Sequence, residues 1–349
     1  MWQFVDGFKT HEFLVYSAYY DVRDSRKPLI RVIGVTRANQ SEKVMCRMYY
    51  DDEKFKLKIN YTQTYSKAMK GNVIDRPFLD VPGIISILNL GYHGKWDYHP
   101  CYILCPFYHL KFQSIEQAPI PIAVSITPLL SSAQKYSKTL YVMNSQNGGT
   151  GTHAAMKNEL GLCVKPIHSD YNNWRELISF IELNKILGVS KITVYNESMS
   201  ESISCVLNYY IQQEHLVSVL AWDLFEKSNI STESMRNRGV QSALNDCFYR
   251  NMNEYKYLFS IDLDEFIIPH MHDTIPEMLE YLSSADIEYL QSHWRQRNMM
   301  KNVQNHSNPD ATTSYNFLNA FFYQNYGKSI CFQLDNLIIL ERIFIAFDP

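Results

Sequence analysis

The sequence predicts an α/β fold in which a mostly parallel sheet carries helices on both faces, preceded by an N-terminal, mainly β domain. At 349 residues the chain is long enough for two domains. Residues 1–153 contain a succession of segments rich in β-branched and aromatic residues, which is typical of strands. In residues 160–349 strands alternate with amphipathic helices, which favours a parallel sheet with right-handed crossovers.

The strand-like segments of the first domain indicate an antiparallel sheet or a sandwich. They lie at 13–20, 29–35, 44–50, 54–61, 102–107, 120–127 and 139–143. Residues 54–59 alternate between lysine and apolar side chains, which predicts one wet and one buried face. The glycine-rich stretch at 144–153 follows. Its glycines (Gly148, Gly149 and Gly151) fit neither the dinucleotide-binding nor the P-loop spacing, so a plain linker is favoured over a phosphate loop.

Strands and helices then alternate along the second domain. Strands are predicted at 162–167, 191–196, 216–222 and 257–261, and apolar helix faces at 174–181, 203–210 and 240–248. Asn173 resembles an N-cap, with Glu176 three residues on, and Gly188 is a typical helix end. A short helix at 276–282 and a strand at 287–293 follow, whereas the apolar segment at 337–347 has no clear assignment.

Polar side chains cluster where the predicted strands end. They are His168, Ser169, Asp170, Asn196, Glu197, Asp223, Asp262 and Asp264. In parallel sheets, ligands bind beyond the carboxyl ends of the strands, so these residues predict a site at one edge. The alternative for each residue is that strands simply end in polar residues at the surface.

The most informative of these residues form the stretch Asp262-Leu263-Asp264-Glu265. Apolar runs flank it at 257–261 and 266–269, and burying charge is costly unless it is paired or bound to a metal. Alternation along an extended chain points Asp262 and Asp264 to the same side. Carboxylate pairs suit Mn²⁺ or Mg²⁺, with substrate phosphates completing the coordination. The alternative is a surface turn with solvated acids.

A metal at this position would suit chemistry on a nucleotide diphosphate. The ion would bridge the diphosphate oxygens and neutralise their charge as the leaving group departs. The acceptors at the neighbouring strand ends (Asp170, Asn196, Glu197 and Asp223) would then bind base and ribose.

Composition excludes some other functions. The 33 basic and 36 acidic residues form no long run of either sign. The excess and clustering of basic residues that are typical of nucleic-acid-binding proteins are therefore missing. No stretch approaches the ~18 apolar residues of a transmembrane helix, and residues 1–20 lack the pattern of a signal peptide.

Two features nevertheless favour the secretory pathway. Asn-x-Ser/Thr sequons occur at Asn39, Asn60, Asn196, Asn229 and Asn305. The seven cysteines are compatible with disulfides, with at least one left unpaired. Cys101 and Cys105 have no second pair at metal spacing, so we interpret them as structural instead of a zinc site.

Several sequence segments together indicate a family. They are VYSAYYDVR at 15–23, CVKPIH at 163–168, FIELNKILGV at 180–189, QSALNDC at 241–247 and IDLDEF at 261–266. In this order and spacing the chain resembles glycosyltransferase family 92, a group prominent in nematodes and other animals.

The resemblance implies a GT-A-like, Rossmann-type fold and a Golgi type II membrane enzyme, lumenal in orientation, that uses Mn²⁺. It implies inverting transfer of galactose from UDP-galactose to a glycan or glycoprotein acceptor, such as fucose on an N-glycan core. Asp262 and Asp264 match the metal-binding Asp-x-Asp, and Asp170 and Asp246 are expected donor contacts. Glu265 is a candidate general base, with an ion-paired structural acid as the alternative.

Two departures from the family pattern leave activity open. The usual membrane anchor is not visible, so membrane association is expected only through a segment that this chain lacks. A late histidine near the metal is not recognisable, which leaves His270, His272 and His293 as candidate third ligands. The alternatives are an inactive transferase-like protein that binds glycans or nucleotide sugars, and a phosphatase of the haloacid dehalogenase type. The phosphatase fits poorly because Glu265-Phe266 follows the motif and three strands precede it.

Overall fold

The computed structural model describes the chain in twelve segments. These are 1–5, 13–24, 26–38, 43–51, 76–88, 96–106, 119–129, 138–144, 158–228, 230–284, 314–317 and 343–347. Several sequence-based predictions lie outside them: the strands at 54–61 and 287–293, the linker glycines, His293, and the sequons at Asn39, Asn60, Asn229 and Asn305.

The first half of the chain forms a closed β-barrel. Its strands are β1 (Gln3–Phe4), β2 (Phe13–Asp21), β3 (Leu29–Arg37), β4 (Val44–Tyr49), β5 (Phe78–Ile87), β6 (Tyr98–Pro106), β7 (Ala123–Pro128) and β8 (Leu140–Met143). Seven strands follow one another around the barrel in the order β2-β3-β6-β5-β4-β7-β8. The barrel closes because β8 pairs in parallel with β2, at Ala18 and Tyr19. The short β1 pairs with the other half of β2, beyond a register shift between Val15 and Ser17.

Alternate side chains of the strands fill the barrel. Val15, Val32, Ile103 and Val124 belong to a buried cluster in its interior. A disulfide between Cys46 and Cys105 joins β4 to β6. The barrel therefore has its own apolar core, which a covalent link across the interior stabilises.

The second half of the chain forms a mixed sheet. Its strands are β9 (Asn158–Val164), β10 (Lys191–Asn196), β11 (Val217–Ala221), β12 (Tyr255–Ile261), β13 (Ser314–Phe317) and β14 (Ile343–Phe347). The spatial order is β11-β10-β9-β12-β14-β13. The first four strands pair in parallel, whereas β14 and β13 add in antiparallel orientation.

Five α-helices lie in the described residues. They are α1 (Trp174–Ile186), α2 (Glu201–Gln212), α3 (Leu224–Lys227), α4 (Val240–Asn251) and α5 (Ile275–Ser284). The predicted cap of α1 is confirmed, because the Asn173 side chain accepts a hydrogen bond from the Glu176 N–H. The predicted end is confirmed as well: Gly188 has φ +96°, and its N–H donates to the Lys185 carbonyl. None of the described helices is long and apolar enough to cross a membrane.

The two faces of the mixed sheet are covered differently. One face packs against α1, α2 and α5 through Leu177, Phe180, Ile203 and Leu279. The opposite face contacts α4 and the outer wall of the barrel, in a buried cluster that includes Leu14, Tyr16, Val35, Tyr195 and Ala243. A disulfide between Cys163 and Cys247 fixes α4 to β9.

The predicted fold class is therefore wrong. The chain is not a GT-A-like, Rossmann-type, mostly parallel sheet with helices on both faces. Strands dominate the described residues, fourteen against five α-helices, and the larger sheet is the closed barrel. Where a full second helical layer was expected, the single helix α4 and the barrel wall cover the mixed sheet. The reason lies in strands such as β2, which is buried on both faces and so gives no alternation from which its partners could be inferred. The predicted division into 1–153 and 160–349 stays a prediction.

Candidate functional site

The parallel strands end at one edge of the mixed sheet, and the loops that follow them are joined there. The Ile167 N–H donates to the Tyr195 carbonyl over 2.8 Å, and the Ser200 N–H donates to the Tyr171 carbonyl over 3.0 Å. Val164 lies opposite Ile261 in the register of β9 and β12. The next residues along the two strands, Lys165 and Asp262, are therefore neighbours at this edge.

Residues 262–265, here called the carboxylate turn, directly follow β12. The turn is closed by two hydrogen bonds between Asp262 and Glu265. The Glu265 N–H donates to the Asp262 carbonyl over 3.1 Å, and the Asp262 N–H donates to Oε2 of Glu265 over 2.9 Å. Asp264 is exposed. Burial, together with the negative charges of Asp262 and Asp264, raises the pKa of Glu265.

Lys165 neutralises part of this charge. Its Nζ lies 2.7 Å from Oδ2 of Asp262, and the two side chains are 38% and 31% exposed. The other oxygen, Oδ1 of Asp262, is buried and has no hydrogen-bond partner among the described residues. An unpartnered buried carboxylate oxygen is costly unless something else binds it.

The carboxylate turn fits a divalent metal only as a shared site. Among the described residues, no group of three or more His, Cys, Asp or Glu side chains is placed to hold a metal. Mg²⁺ and similar ions usually take one or two carboxylates and complete their coordination with water and substrate phosphates. Asp262, with its unpartnered Oδ1, fits that requirement as one ligand, and the exposed Asp264 is the second carboxylate of the same turn. His270 is exposed and the His272 ring packs against Tyr281, so neither joins the carboxylates.

Asp170 lies in the loop after β9, in a strained backbone conformation. Ser169 and Asp170 have φ values of 60° and 49°, which residues other than glycine seldom adopt. The Ser198 hydroxyl donates to the Asp170 carboxylate and accepts from the Asp170 N–H over 3.1 Å. Nearby, the Tyr171 hydroxyl donates to Glu176 over 2.6 Å. Burial, Glu176 and the charge of Asp264 raise the pKa of Tyr171, so this tyrosine lies within the field of the carboxylate turn.

Glu197 follows β10 and is held by Arg238. Both the Nε–H and a terminal N–H of the Arg238 guanidinium donate to the Glu197 carboxylate. Arg238 sits in a turn of three consecutive left-handed residues, with φ of 44° at Asn237, 53° at Arg238 and 75° at Gly239. The Trp222 indole N–H donates to the Arg238 carbonyl over 3.3 Å and helps to hold the turn. Such strain persists only where surrounding contacts enforce it.

His168 lies near the same pair. Burial and the positive charge of Arg238 lower the pKa of His168, which favours its neutral form. Its ring nitrogen Nδ1 lies 2.8 Å from the Ser169 hydroxyl. The His168 imidazole is therefore within the influence of the Arg238 charge, while the guanidinium itself is paired with Glu197.

Asn196 and Asp223 reach the same edge but differ in their surroundings. Oδ1 of Asn196 is buried without a hydrogen-bond partner in the described part of the chain, although the residue as a whole is only half-buried at the end of β10. Asp223 accepts the Trp2 N–H over 2.9 Å and pairs with Lys227 over 2.5 Å. Burial would raise the pKa of Asp223, but these contacts outweigh it and lower the pKa. Asp223 thus binds the N-terminal segment of the chain.

Asp246 lies in the interior, away from the edge. It is fully buried on α4 and accepts hydrogen bonds from the hydroxyls of Ser17, Tyr19 and Tyr195. Arg250 pairs with the same carboxylate over 3.0 Å. These contacts join the barrel to the mixed sheet, and they support a structural role for Asp246.

Sequence reasoning missed three residues of this edge: Lys165, Tyr171 and Arg238. Lys165 lay inside the strand predicted at 162–167, whereas β9 ends at Val164, so its place at the strand end was not recognised. Arg238 lies in a turn between α3 and α4. No local sequence pattern predicts the left-handed backbone conformation of this turn.

Comparison with known proteins shows that the chain is similar to glycosyltransferases. The sequence profile of glycosyltransferase family 92 matches residues 158–334. The β-1,4-galactosyltransferase galt-1 of Caenorhabditis elegans is 26% identical over 113 residues, which cover 32% of this chain and 25% of the relative. The glycosyltransferase family 92 protein F13G3.3 of Caenorhabditis elegans is 24% identical over 129 residues, 35% of this chain and 25% of the relative. The matches thus span about a quarter of each relative's length.

Proposed function

The chain belongs to glycosyltransferase family 92, and we propose that it is a metal-dependent enzyme that transfers galactose from UDP-galactose to a glycan. The observation that carries the proposal is the carboxylate turn at the end of β12, inside the region that matches the family. Its Asp262 has a buried oxygen without a hydrogen-bond partner in the described residues. The printed activity of one relative, β-1,4-galactosyl transfer, supports galactose as the sugar.

Mn²⁺ or Mg²⁺ held by Asp262 and Asp264 would supply positive charge to the departing diphosphate. The protein groups at the neighbouring strand ends would bind the nucleoside half of the donor. Glu197 and Asn196 lie at the end of β10, and Asp170 lies in the loop after β9. Arg238 holds the Glu197 carboxylate in place, which would fix the donor's orientation.

Inversion at the sugar carbon needs a group that accepts the proton of the acceptor hydroxyl. We propose Glu265 for this role, because burial raises its pKa and so makes it a better proton acceptor. Its Oε2 already accepts the Asp262 N–H over 2.9 Å, so the proton would go to Oε1.

We propose that the protein works on the lumenal side of the Golgi membrane, on glycoprotein acceptors such as fucose of an N-glycan core. The support is chemical: the disulfides Cys46–Cys105 and Cys163–Cys247 favour an oxidising compartment.

A second candidate function is binding without turnover. The observation that favours it is the Lys165–Asp262 ion pair, which occupies one oxygen of the proposed metal ligand. In that case the chain would bind a nucleotide sugar or a glycan and release no product.

Donor turnover distinguishes the two functions. UDP release would be measured with UDP-galactose, Mn²⁺ and a fucosylated N-glycan core, for the wild type, Asp264→Asn and Asp24→Asn. Asp24 is an acidic residue of the barrel and serves as the matched control. We expect metal-dependent release that falls by about 100-fold or more in Asp264→Asn, because the metal that would neutralise the departing diphosphate loses one of its two proposed carboxylate ligands. Donor binding without any UDP release in the wild type would support the binding function instead.

A further inference from the structure

We infer that Lys165 competes with the metal for Asp262 and thereby makes metal binding depend on the diphosphate. The inference rests on the proposed function and concerns how its two ligands assemble. Lys165 acts here as a positioning residue, through Asp262.

The position of Lys165 follows from the strand register. Val164 pairs with Ile261, so the residues that follow on β9 and β12 are brought side by side. The 2.7 Å separation between Nζ of Lys165 and Oδ2 of Asp262 is that of a charge-assisted hydrogen bond. A metal that binds Oδ1 of Asp262 meets a carboxylate whose other oxygen is already engaged by an ammonium group.

The local charge explains why an ammonium group is held there. The carboxylate turn carries three acidic side chains within four residues. Among the described ion pairs, Lys165 provides the one cation in contact with the turn. Arg238, a cation at the same edge of the sheet, is instead paired with Glu197. Without a metal, Lys165 therefore reduces the repulsion between the carboxylates.

The arrival of a metal changes this balance. The ion would neutralise Asp262, and the ammonium group would lose its partner. A lysine ammonium has three donors and no acceptor, so it needs an anionic group nearby. The diphosphate of the donor would provide that group, beside the same edge. Metal alone thus displaces Lys165 without compensation, whereas metal and diphosphate together give every charge a partner.

This arrangement predicts a reciprocal coupling. If the diphosphate strengthens metal binding, the metal strengthens diphosphate binding by the same factor. A lysine that merely stabilised the folded turn would give a different result, because its removal would not tighten metal binding.

The test is calorimetric titration of Mn²⁺ alone, and of UDP at saturating Mn²⁺. It compares the wild type with Lys165→Met, Lys165→Arg and Lys185→Met. Lys185 is the matched control: its Nζ pairs with Glu214 over 2.6 Å and it is 44% exposed, but it lies in the last turn of α1. Thermal unfolding would verify that each variant is folded, and Lys165→Gln replaces the methionine variant if that one is not.

We expect Lys165→Met to bind Mn²⁺ alone about two- to five-fold more tightly, the range set by breaking a partly exposed ion pair. We expect its affinity for UDP at saturating Mn²⁺ to fall by about ten-fold or more, because a charge-assisted hydrogen bond is lost. Lys165→Arg and Lys185→Met should resemble the wild type.

Unchanged or weaker Mn²⁺ binding by a folded Lys165→Met variant would overturn the inference. The proposed function would stand in that case, provided that the wild type binds UDP in a metal-dependent manner. A wild type that binds no UDP with Mn²⁺ would overturn both.

Discussion

Asp246 and Asp262 are chemically identical residues in different environments: Asp246 lies in the interior and Asp262 lies at the edge of the mixed sheet. Both are aspartates of the second half of the chain, and both were predicted to serve the donor site. Asp262 lies at the edge of the mixed sheet, with Oδ1 unpartnered in the described residues. The carboxylate of Asp246 is fully buried and surrounded by hydroxyl and guanidinium donors. The number of donors around a carboxylate, which the sequence does not reveal, distinguishes a structural acid from an available ligand.

The network around Asp246 should therefore support stability and not donor binding. Tyr195→Phe removes the 2.6 Å hydrogen bond to Asp246 and leaves the ring packing in place. We expect it to lower the free energy of unfolding by about 1.5–3 kcal/mol, since a buried charged acceptor loses a donor. Asp246→Asn, which breaks the pair with Arg250, should cost roughly 3 kcal/mol or more. Urea unfolding monitored by tryptophan fluorescence would measure both.

Titration of UDP in the presence of Mn²⁺ is the control for function. Tyr195→Phe should retain the wild-type affinity. A variant with unchanged stability and much weaker UDP binding would show that the Asp246 network contacts the donor.

At the scale of elements, the contact between α4 and the barrel is the one that joins the two halves of the chain. The carboxylate of Asp21, at the end of β2, accepts hydrogen bonds from Arg23 and from Arg31 of β3. Arg23 also donates to the Tyr249 hydroxyl on α4 over 2.6 Å. Burial alone would raise the pKa of Asp21, but the two arginines outweigh it and lower the pKa to about 2. This ion cluster joins the rim of the barrel to the helix that supports the mixed sheet.

The cluster predicts a pH dependence of stability. A pKa lowered in the folded state stabilises the protein above the unfolded-state value of about 3.9, and the effect is lost as the pH falls toward 2. At pH 7 the contribution of Asp21 should be about 2 kcal/mol. Asp21→Asn should therefore be less stable than the wild type at pH 7, and the difference should shrink between pH 4 and pH 2. Urea unfolding at a series of pH values measures this difference.

Asp97→Asn provides the comparison, because Asp97 is an exposed acidic residue next to β6 of the same barrel. Its stability relative to the wild type should change little with pH. If Asp21→Asn followed the same course as Asp97→Asn, the cluster would not stabilise the contact with α4.

At the scale of the whole molecule, features that depend on neighbouring residues could be predicted from the sequence. Pairings between distant strands could not. The cap at Asn173 and the end at Gly188 could be predicted because their chemistry depends on a few adjacent residues. Closure of the barrel depends on the pairing of β2 with β8, which lie far apart in the sequence. The wrong fold class has the same origin, because no local pattern shows that the barrel wall covers the second face of the mixed sheet.

The residues of the candidate site also fall into two groups: those that the local sequence predicts and those whose contacts depend on the fold. The position of Asp262 and Asp264 after a buried strand could be read from the apolar runs on either side. The contact of Lys165 with Asp262 needed the register of two strands, and the contact of Arg238 with Glu197 needed a turn in the left-handed conformation. The family resemblance is confirmed by the match over residues 158–334, whereas the roles of the site residues stay predictions.

The central claim is that the carboxylate turn binds a metal together with a nucleoside diphosphate. The most direct test is calorimetric titration of UDP with and without Mn²⁺, for the wild type, Asp262→Asn and Asp24→Asn. We predict that the wild type and Asp24→Asn bind UDP only with Mn²⁺, and that Asp262→Asn loses this binding. Equal UDP affinity with and without Mn²⁺, or wild-type affinity in Asp262→Asn, would contradict the claim.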